Sequence, residues 1–350
     1  MDLPVLPPIA PMLAKAVTKV PTQPDAAPVY SYEPKWDGFR ALIFRDGDDV
    51  FIGSRGGKDL ARYFPEIVAA AREQLPPKVV VDGEIGVPAS IDGVHRLDWD
   101  SLSQRIHPAA SRVNMLAETT PAIFIGFDAL ASGSVDVTGE PFPVRRETLL
   151  QVIGSTERTS TLRVSRVTVD PDQATQWFSA FEGAGLDGVV AKPLASPYLP
   201  GKREMLKVKH KRTADCVIIG YRVHKSGTGI GSMLLGLYKD GELRMVGGSA
   251  AFSDAKRLEL QQQFEPMRLD PDHVAPGEVN RWRSSATGEW IPIRPELVAE
   301  FAYDQMEGQR FRHTVKFLRW RPDREPESCG YDQLDVPLTY DLHDVLEGNS

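Results

Sequence analysis

At 350 residues with an ordinary apolar fraction of 41%, the chain has material for two domains, each with its own core. The opening MDLPVLPPIA lacks the basic start and apolar run of a secretion signal, and no later stretch suits a bilayer span; Cys216 and Cys329 are too few for a disulfide framework and too isolated for a cysteine zinc site. A net charge of −7 would argue against a polyanion partner, but residues 325 to 350 carry Glu325, Glu327, Asp332, Asp335, Asp341, Asp344 and Glu347 with no Lys or Arg, so the rest of the chain is neutral overall and its basic residues are clustered.

In chain order, ALIF and VFIG around Arg45-Asp46-Gly47 predict a hairpin over 41 to 53, because Asp-Gly accepts the positive dihedrals of a tight turn. Pro65 followed by EIVAAAREQL predicts a helix that stops before Pro76-Pro77. Strands recur at 79 to 87 and 122 to 130. Asp170-Pro171 starts a helix that runs to about residue 182 and is ended by Gly183 and Gly185, and GVVAKP is the next strand. A basic run, Lys202, Arg203, Lys207, Lys209, Lys211 and Arg212, marks a hinge, with the boundary near Lys211 to Thr213. Beyond it CVIIGYRV, SMLLGLYKDG and ELRMVGGSA are short, β-rich and punctuated by glycine, which predicts a small barrel of the oligonucleotide-binding kind. The segment SGTGIGS at 226 to 232 is a hairpin loop on this reading, since no helix follows to supply phosphate-binding amides. A second basic cluster, Arg310, Arg312, Lys316, Arg319, Arg321 and Arg324, precedes the acidic tail. The expected division is residues 1–212 and residues 213–350.

The chemistry-bearing residues are lysines, arginines and carboxylates set beside these strands. Glu33-Pro34-Lys35-Trp36-Asp37-Gly38-Phe39-Arg40 contains KxDGxR, which by itself reads equally well as a surface lysine before a turn. Behind it, in order, come Ser54-Arg55-Gly56, Asp82-Gly83-Glu84, Phe127-Asp128, Asp187-Gly188-Val189-Val190-Ala191-Lys192, Lys207-Val208-Lys209 and Arg321-Pro322-Asp323-Arg324. Each has a plain structural alternative as a turn or a core strand; the ordered set does not.

With these motifs, and with PMLA at 11 to 14, LSQRIHP and a late DQLD, the chain resembles the covalent nucleotidyltransferases, and among them the compact bacterial ATP-dependent DNA ligases. The resemblance implies an α+β fold: an adenylation domain of mixed antiparallel sheets and helices, then an oligonucleotide-binding (OB) barrel. It implies ATP and Mg²⁺ or Mn²⁺ as cofactors, nicked duplex DNA as substrate, and Lys35 as the nucleophile. Glu33 then lies on the adenine side, Phe127 stacks on the base, and Arg40, Arg55 and Glu84 hold the ribose. Lys192, Lys207 and Lys209 contact the α-phosphate, Arg203 the nucleotide or the nick phosphate, and Glu84 and Asp187 a divalent metal. Arg319, Arg321, Asp323 and Arg324 orient the pyrophosphate after domain closure.

A free lysine titrates at about 10.4, so attack on phosphorus requires its ammonium to be destabilised; Lys192, Lys207, Lys209 and a bound metal are the expected agents. Two positions depart from the family pattern: Arg324 where Lys is common, and Met205-Leu206 where Trp-Leu is common. The resemblance also implies weak intrinsic DNA binding or help from a repair partner, with a cytoplasmic monomer as the working state. Rival readings are an RNA ligase, a GTP-using capping enzyme, an NAD-dependent ligase, and an inactive nucleic-acid-binding module.

Overall fold

A computed structural model describes residues 1–22, 29–91, 93–154, 160–270, 275, 288–335 and 337–347. These fall into two compact units, Met1–Lys209 with Pro337–Ser350, and His210–Val336.

The first unit opens with β1 (Ala14–Val17), β2 (Tyr30–Pro34), β3 (Phe39–Asp46), β4 (Asp49–Ser54), α1 (Pro65–Gln74) and β5 (Lys78–Gly86). A small hairpin of β6 (Pro88–Ile91) and β7 (Val94–Leu97) leads to α2 (Trp99–Gln104) and α3 (Ala110–Thr119). Then follow β8 (Ile123–Ser132), β9 (Val135–Asp136), α4 (Phe142–Ile153), β10 (Leu162–Val164), α5 (Pro171–Ala180), β11 (Val189–Pro193) and β12 (Met205–Val208).

The expected first hairpin is present as β3–β4, with Asp46 opposite Asp49, so the turn residues are Gly47 and Asp48 and Gly47 takes φ +62°. The proline-led helix is α1, with Pro65 in its first turn and the C-cap at Leu75. Asp170 caps α5 by accepting from the amide of Asp172, and Gly185 closes the following 3-10 turn at φ +84°.

Apart from the β6–β7 hairpin, these strands build two sheets. One is four-stranded in the order β1-β12-β11-β2, and the other runs β10-β8-β5-β3-β4 with β9 beside β8. Pairing is antiparallel except for β1 with β12 and β10 with β8, where the chain crosses over. The larger sheet buries one face against α1 and α4 through Ile43, Phe64, Ile67, Val81, Phe124 and Leu149.

The second unit comprises β13 (Arg212–Val223), β14 (Ile230–Lys239), β15 (Glu242–Ser249), α6 (Asp254–Phe264), β16 (Ile291–Pro292), β17 (Val298–Tyr303), β18 (Met306–Glu307), β19 (Arg310–Phe311) and β20 (Lys316–Trp320). Its sheet runs β15-β14-β13-β17-β20, with β16 on β13 and a separate β18–β19 pair. The 12-residue β13 carries two register shifts against β14, and the Val315 amide donates to Gly248 O (3.0 Å), which joins the approach to β20 back to β15. Three meander strands, a helix, then two strands returning beside the first is the arrangement of an OB barrel. Asp240 and Gly241 turn β14 into β15 with φ +53° and +79°. The SGTGIGS segment joins β13 to β14, and the amide of Gly229 donates to Gln261 of α6 (2.7 Å).

The C-terminal residues depart from the expected division. Instead of staying with the barrel, residues 337–347 end in α7 (Leu342–Glu347) and pack on the first unit. Leu342 and Val345 are fully buried beside Trp177, Phe181 and Leu186. The chain crosses Gly183 so closely that a Cβ there would lie 1.8 Å from Leu338 O. Net acidity hid an amphipathic helix: its two fully buried residues, Leu342 and Val345, are three apart, and its carboxylates face outward.

Candidate active site

Strand periodicity assembles the first half of the site. Val190 pairs with Glu33 on one side and with Lys207 on the other, so positions two residues along β2, β11 and β12 share one face of the small sheet. Glu33, Lys192 and Lys207 occupy that face, and Lys35 and Lys209 continue it just past the ends of β2 and β12. Lys35 is pinned by its backbone: its amide donates to Gly188 O (2.9 Å) and its carbonyl accepts from Asp187 (2.9 Å). Gly188 has φ +130°, and a Cβ there would lie 2.0 Å from Val208 O, so Asp187-Gly188 is a close crossing that only glycine permits.

Asp187 is the hub of the lysine cluster. Its Oδ2 lies 2.6 Å from Lys35 Nζ and 2.5 Å from Lys209 Nζ. Burial opposes its charge, yet the two ammonium groups outweigh burial and hold the Asp187 carboxyl below its ordinary range. Burial likewise disfavours the Lys35 ammonium, but Asp187, with Glu84 and Asp37, more than reverses this, and Lys35 is raised. Lys207 is the lysine pushed down, by burial first and then by Lys35 and Lys209. The lysine cluster alone therefore does not activate Lys35, because Asp187 neutralises it.

The larger sheet supplies the other half. Arg40 sits opposite Glu84 on β3 and β5. Arg40 grips Asp82 with two 2.6 Å bonds, and Tyr198 Oη donates to the same carboxylate at 2.6 Å. Glu84 Oε1 accepts the amide of Gly38 at 3.2 Å. Burial raises Glu84 to about 7 despite the opposing Arg40 and Lys35 charges. Phe127 is placed by a bulge: Asp82 pairs with Asp128 and Gly83 with Gly126, which leaves Phe127 unpaired in the ladder. Its ring has the Arg40 guanidinium 4.5 Å and the Lys192 ammonium 4.7 Å from its centroid.

Lys192 bridges the sheets. Its Nζ donates to Phe127 O (2.9 Å) and lies 3.0 Å from Glu33 Oε1 and 3.8 Å from Asp128. In this conformation it pairs with Glu33, whereas Lys207 and Lys209 stay beside Lys35. Arg55, exposed after β4, acts electrostatically on Lys207; Arg203 is exposed in the run before β12.

Glu33 is buried and raised by burial, with Lys192 opposing. Its Oε2 has no hydrogen-bond partner, and neither does the buried Nη1 of Arg146 on α4, whose charge acts on Glu33. A paired acceptor and donor left open suit a ligand edge that carries both, as a purine does. Sequence reading missed Arg146 and Tyr198 as parts of this site, and it gave Asp82 no role although its Asp82-Gly83-Glu84 motif was picked out; for Arg146 the Arg145-Arg146 pair on α4 was the available signal. The neighbouring Arg145 is instead locked on Asp128 (2.8 and 3.1 Å).

Glu84 and Asp187 both act on Lys35, and their oxygen donors fit a hard divalent cation beside it. In the second unit, Arg321 binds Asp215 through 3.0 and 2.8 Å contacts and Asp323 at 2.8 Å; Arg324 lies 3.4 Å from Asp215, and Arg319 2.6 Å from Glu300. The Arg321 contacts hold Asp323 down at about 2.

A lysine tied through its backbone to Asp187 and Gly188, two carboxylates acting on its ammonium, and an open acceptor and donor at Glu33 and Arg146, followed by an OB barrel, make the arrangement of a covalent nucleotidyltransferase. The ATP dependent DNA ligase domain matches residues 11–209, and the ATP dependent DNA ligase C terminal region matches residues 226–324. The chain is 62% identical to DNA ligase C1 of Mycolicibacterium smegmatis and 51% identical to DNA ligase C of Mycobacterium tuberculosis, in each case over 99% of both chains. A structure from a study of Lig E DNA ligases shares the fold, with TM-score 0.55 at 18% identity, covering 89% of this chain and all of that one. The chain belongs to the ATP-dependent DNA ligase family. ATP and a divalent metal are the cofactors this family implies, and among the described residues no helix is long and apolar enough to cross a membrane.

Proposed function

We propose that this protein seals nicks with a 3′-hydroxyl and a 5′-phosphate in duplex DNA, in three steps of which the first two pass through Lys35. In the first, Lys35 gives up one ammonium proton and its Nζ lone pair attacks the α-phosphorus of ATP; a P–N bond forms, the P–O bond to pyrophosphate breaks, and a second proton leaves, so the phosphoramidate nitrogen keeps one hydrogen. In the second, a 5′-phosphate oxygen displaces Lys35 from AMP and the amine regains a proton. In the third, the 3′-hydroxyl attacks the activated 5′-phosphate and AMP leaves.

The observation that carries this reading is the fixed contact of Lys35 Nζ with Asp187 (2.6 Å), its backbone tied to residues 187 and 188 on both sides. That contact sets the order of events: Lys35 remains an ammonium until the Asp187 charge is engaged elsewhere. Mg²⁺ or Mn²⁺ held by Glu84 and Asp187 would supply that neutralisation and polarise the α-phosphate. Lys207 and Lys209 then face the phosphate, and Glu33 with Arg146 reads the base. Arg319, Arg321, Asp323 and Arg324 act on the departing pyrophosphate once the two units close, and this requires Arg321 and Arg324 to exchange Asp215 for phosphate oxygens. The barrel binds duplex through phosphates, as a monomer, in DNA repair.

The test is incubation with α-labelled ATP, GTP or NAD and Mg²⁺, then a chase with nicked duplex. Covalent label from ATP that the chase converts to sealed DNA is the expected result. Label from GTP would move the reading to capping chemistry, and label without any covalent bond would leave a binding module.

A further inference from the structure

The hairpin β6–β7 and helix α7 meet at a group of metal-binding side chains that nick sealing does not use. His95, on β7, has its Nδ1 3.2 Å from Oδ2 of Asp341, the residue before α7. The His343 ring, in the first turn of α7, has its centroid 4.4 Å from that of His95, with the planes 60° apart. One ligand atom from each of the three lies within 4.8 Å of the others. We propose that His95, Asp341 and His343 form a zinc site that clamps the C-terminal segment onto the adenylation domain.

The donor set selects the metal class. Two imidazoles and one carboxylate suit Zn²⁺, whereas Mg²⁺ and Mn²⁺ prefer oxygens. The spacing fits as well. Zinc bonds to N and O of about 2.0–2.1 Å in a tetrahedron put neighbouring ligand atoms about 3.3 Å apart, close to the 3.2 Å between Nδ1 and Oδ2.

The carboxylate is also oriented in advance. Asp341 Oδ1 accepts the His343 amide (2.8 Å), and Oδ2 accepts the His95 amide (3.2 Å), so both neighbours hold it facing the imidazoles. All three residues are half-buried, which leaves the fourth position of the tetrahedron to a water.

The clamp has something to hold. Beside it, Tyr340 packs on Phe181 with centroids 5.0 Å apart, and Leu342 and Val345 fill the core below. The three ligands come from a strand early in the chain and a segment at its far end, so a bound ion would cross-link residues separated by most of the sequence. An ion that binds only the docked tail stabilises the docked state by mass action.

The experiment uses the full chain, stripped of nucleotide and Mg²⁺, at a pH near 7.5, where a free imidazole is largely neutral. Zn²⁺ alone is titrated calorimetrically, and Co²⁺ alone is followed by its visible spectrum. The expected result is one zinc ion per chain, an intense tetrahedral Co²⁺ band and a raised melting temperature. His95→Ala and His343→Ala should each weaken zinc binding by roughly a hundredfold, while Glu84→Gln binds zinc as the wild type does. Zinc binding unchanged in both histidine variants, or lost in Glu84→Gln alone, would overturn the proposal by placing the ion elsewhere. A weak octahedral Co²⁺ spectrum in the wild-type chain would overturn it without recourse to any variant. None of these readouts requires ATP or DNA, so they stand or fall separately from the ligation reaction.

Discussion

Lys35 and Asp187 illustrate how much of this site lies in electrostatic pairing that residue types alone do not disclose. Three lysines near a fourth suggest a depressed pKa, yet Asp187 bridges Lys35 and Lys209 and raises Lys35 instead. Asp187→Asn should therefore lower the Lys35 pKa in the nucleotide-free protein, read by the pH dependence of amine-directed labelling; an unchanged profile would remove Asp187 from its assigned place. Glu84 makes a second case. Its carboxyl is ordinarily near 4.5 and is raised to about 7 in the fold, so the folded state binds its proton more tightly. The resulting stability is full below about pH 4.5 and is lost as pH rises through 7. In metal-free protein, the slope of unfolding free energy over that window should flatten in Glu84→Gln. On the base side, Glu33→Gln keeps the volume but changes the open acceptor; ATP KM should rise about tenfold or more, in line with about 1.5–3 kcal/mol for a charged hydrogen bond, with a smaller change in kcat. Lys35, Glu33, Glu84 and Asp187 were all legible because a motif names them. Arg146 and Tyr198 were not, since only the folded contacts of α4 and of the segment after β11 bring them in.

Strands, turns and glycine crossings account for the geometry in which those residues meet. The alternation of Glu33 with Lys35 and of Lys207 with Lys209 was readable as period two, and β3–β4, α1, α5 and the β13–β15 meander follow from their turn and cap residues. The bulge at Phe127 was not readable, because a register shift depends on the partner strand rather than on local sequence. Nor was the role of Gly188, which looks like half of a turn and is instead a close approach to Val208. Gly188→Ala combines a disfavoured dihedral with a backbone clash. A loss of about 1–3 kcal/mol of stability is expected, with adenylation falling further as Asp187 shifts. Unaltered denaturation and labelling would refute this account of the crossing.

At the scale of the whole molecule, the acidic C-terminal segment changes its meaning most. It reads as a charged tail after a barrel, but its few apolar residues are spaced to bury, and the surface that receives them lies in the first unit. Deleting residues 337–350 should destabilise the adenylation domain by about 3–6 kcal/mol, from two fully buried side chains at about 1.5–3 kcal/mol each; an unchanged denaturation midpoint would contradict the packing. Charge separates the same way: a neutral body with basic clusters predicts nick affinity that falls steeply with salt in a gel or anisotropy titration. The two-unit plan and the barrel were legible from composition and β-texture; the return of the chain to its first unit was not, since sequence order says nothing of where a segment packs. The central claim is that a single lysine carries the nucleotide, and peptide mass mapping of the protein after reaction with ATP and a divalent metal tests it most directly. AMP on the peptide containing Lys35, absent from Lys35→Ala, is the predicted result; AMP on another lysine, or on none, would contradict it.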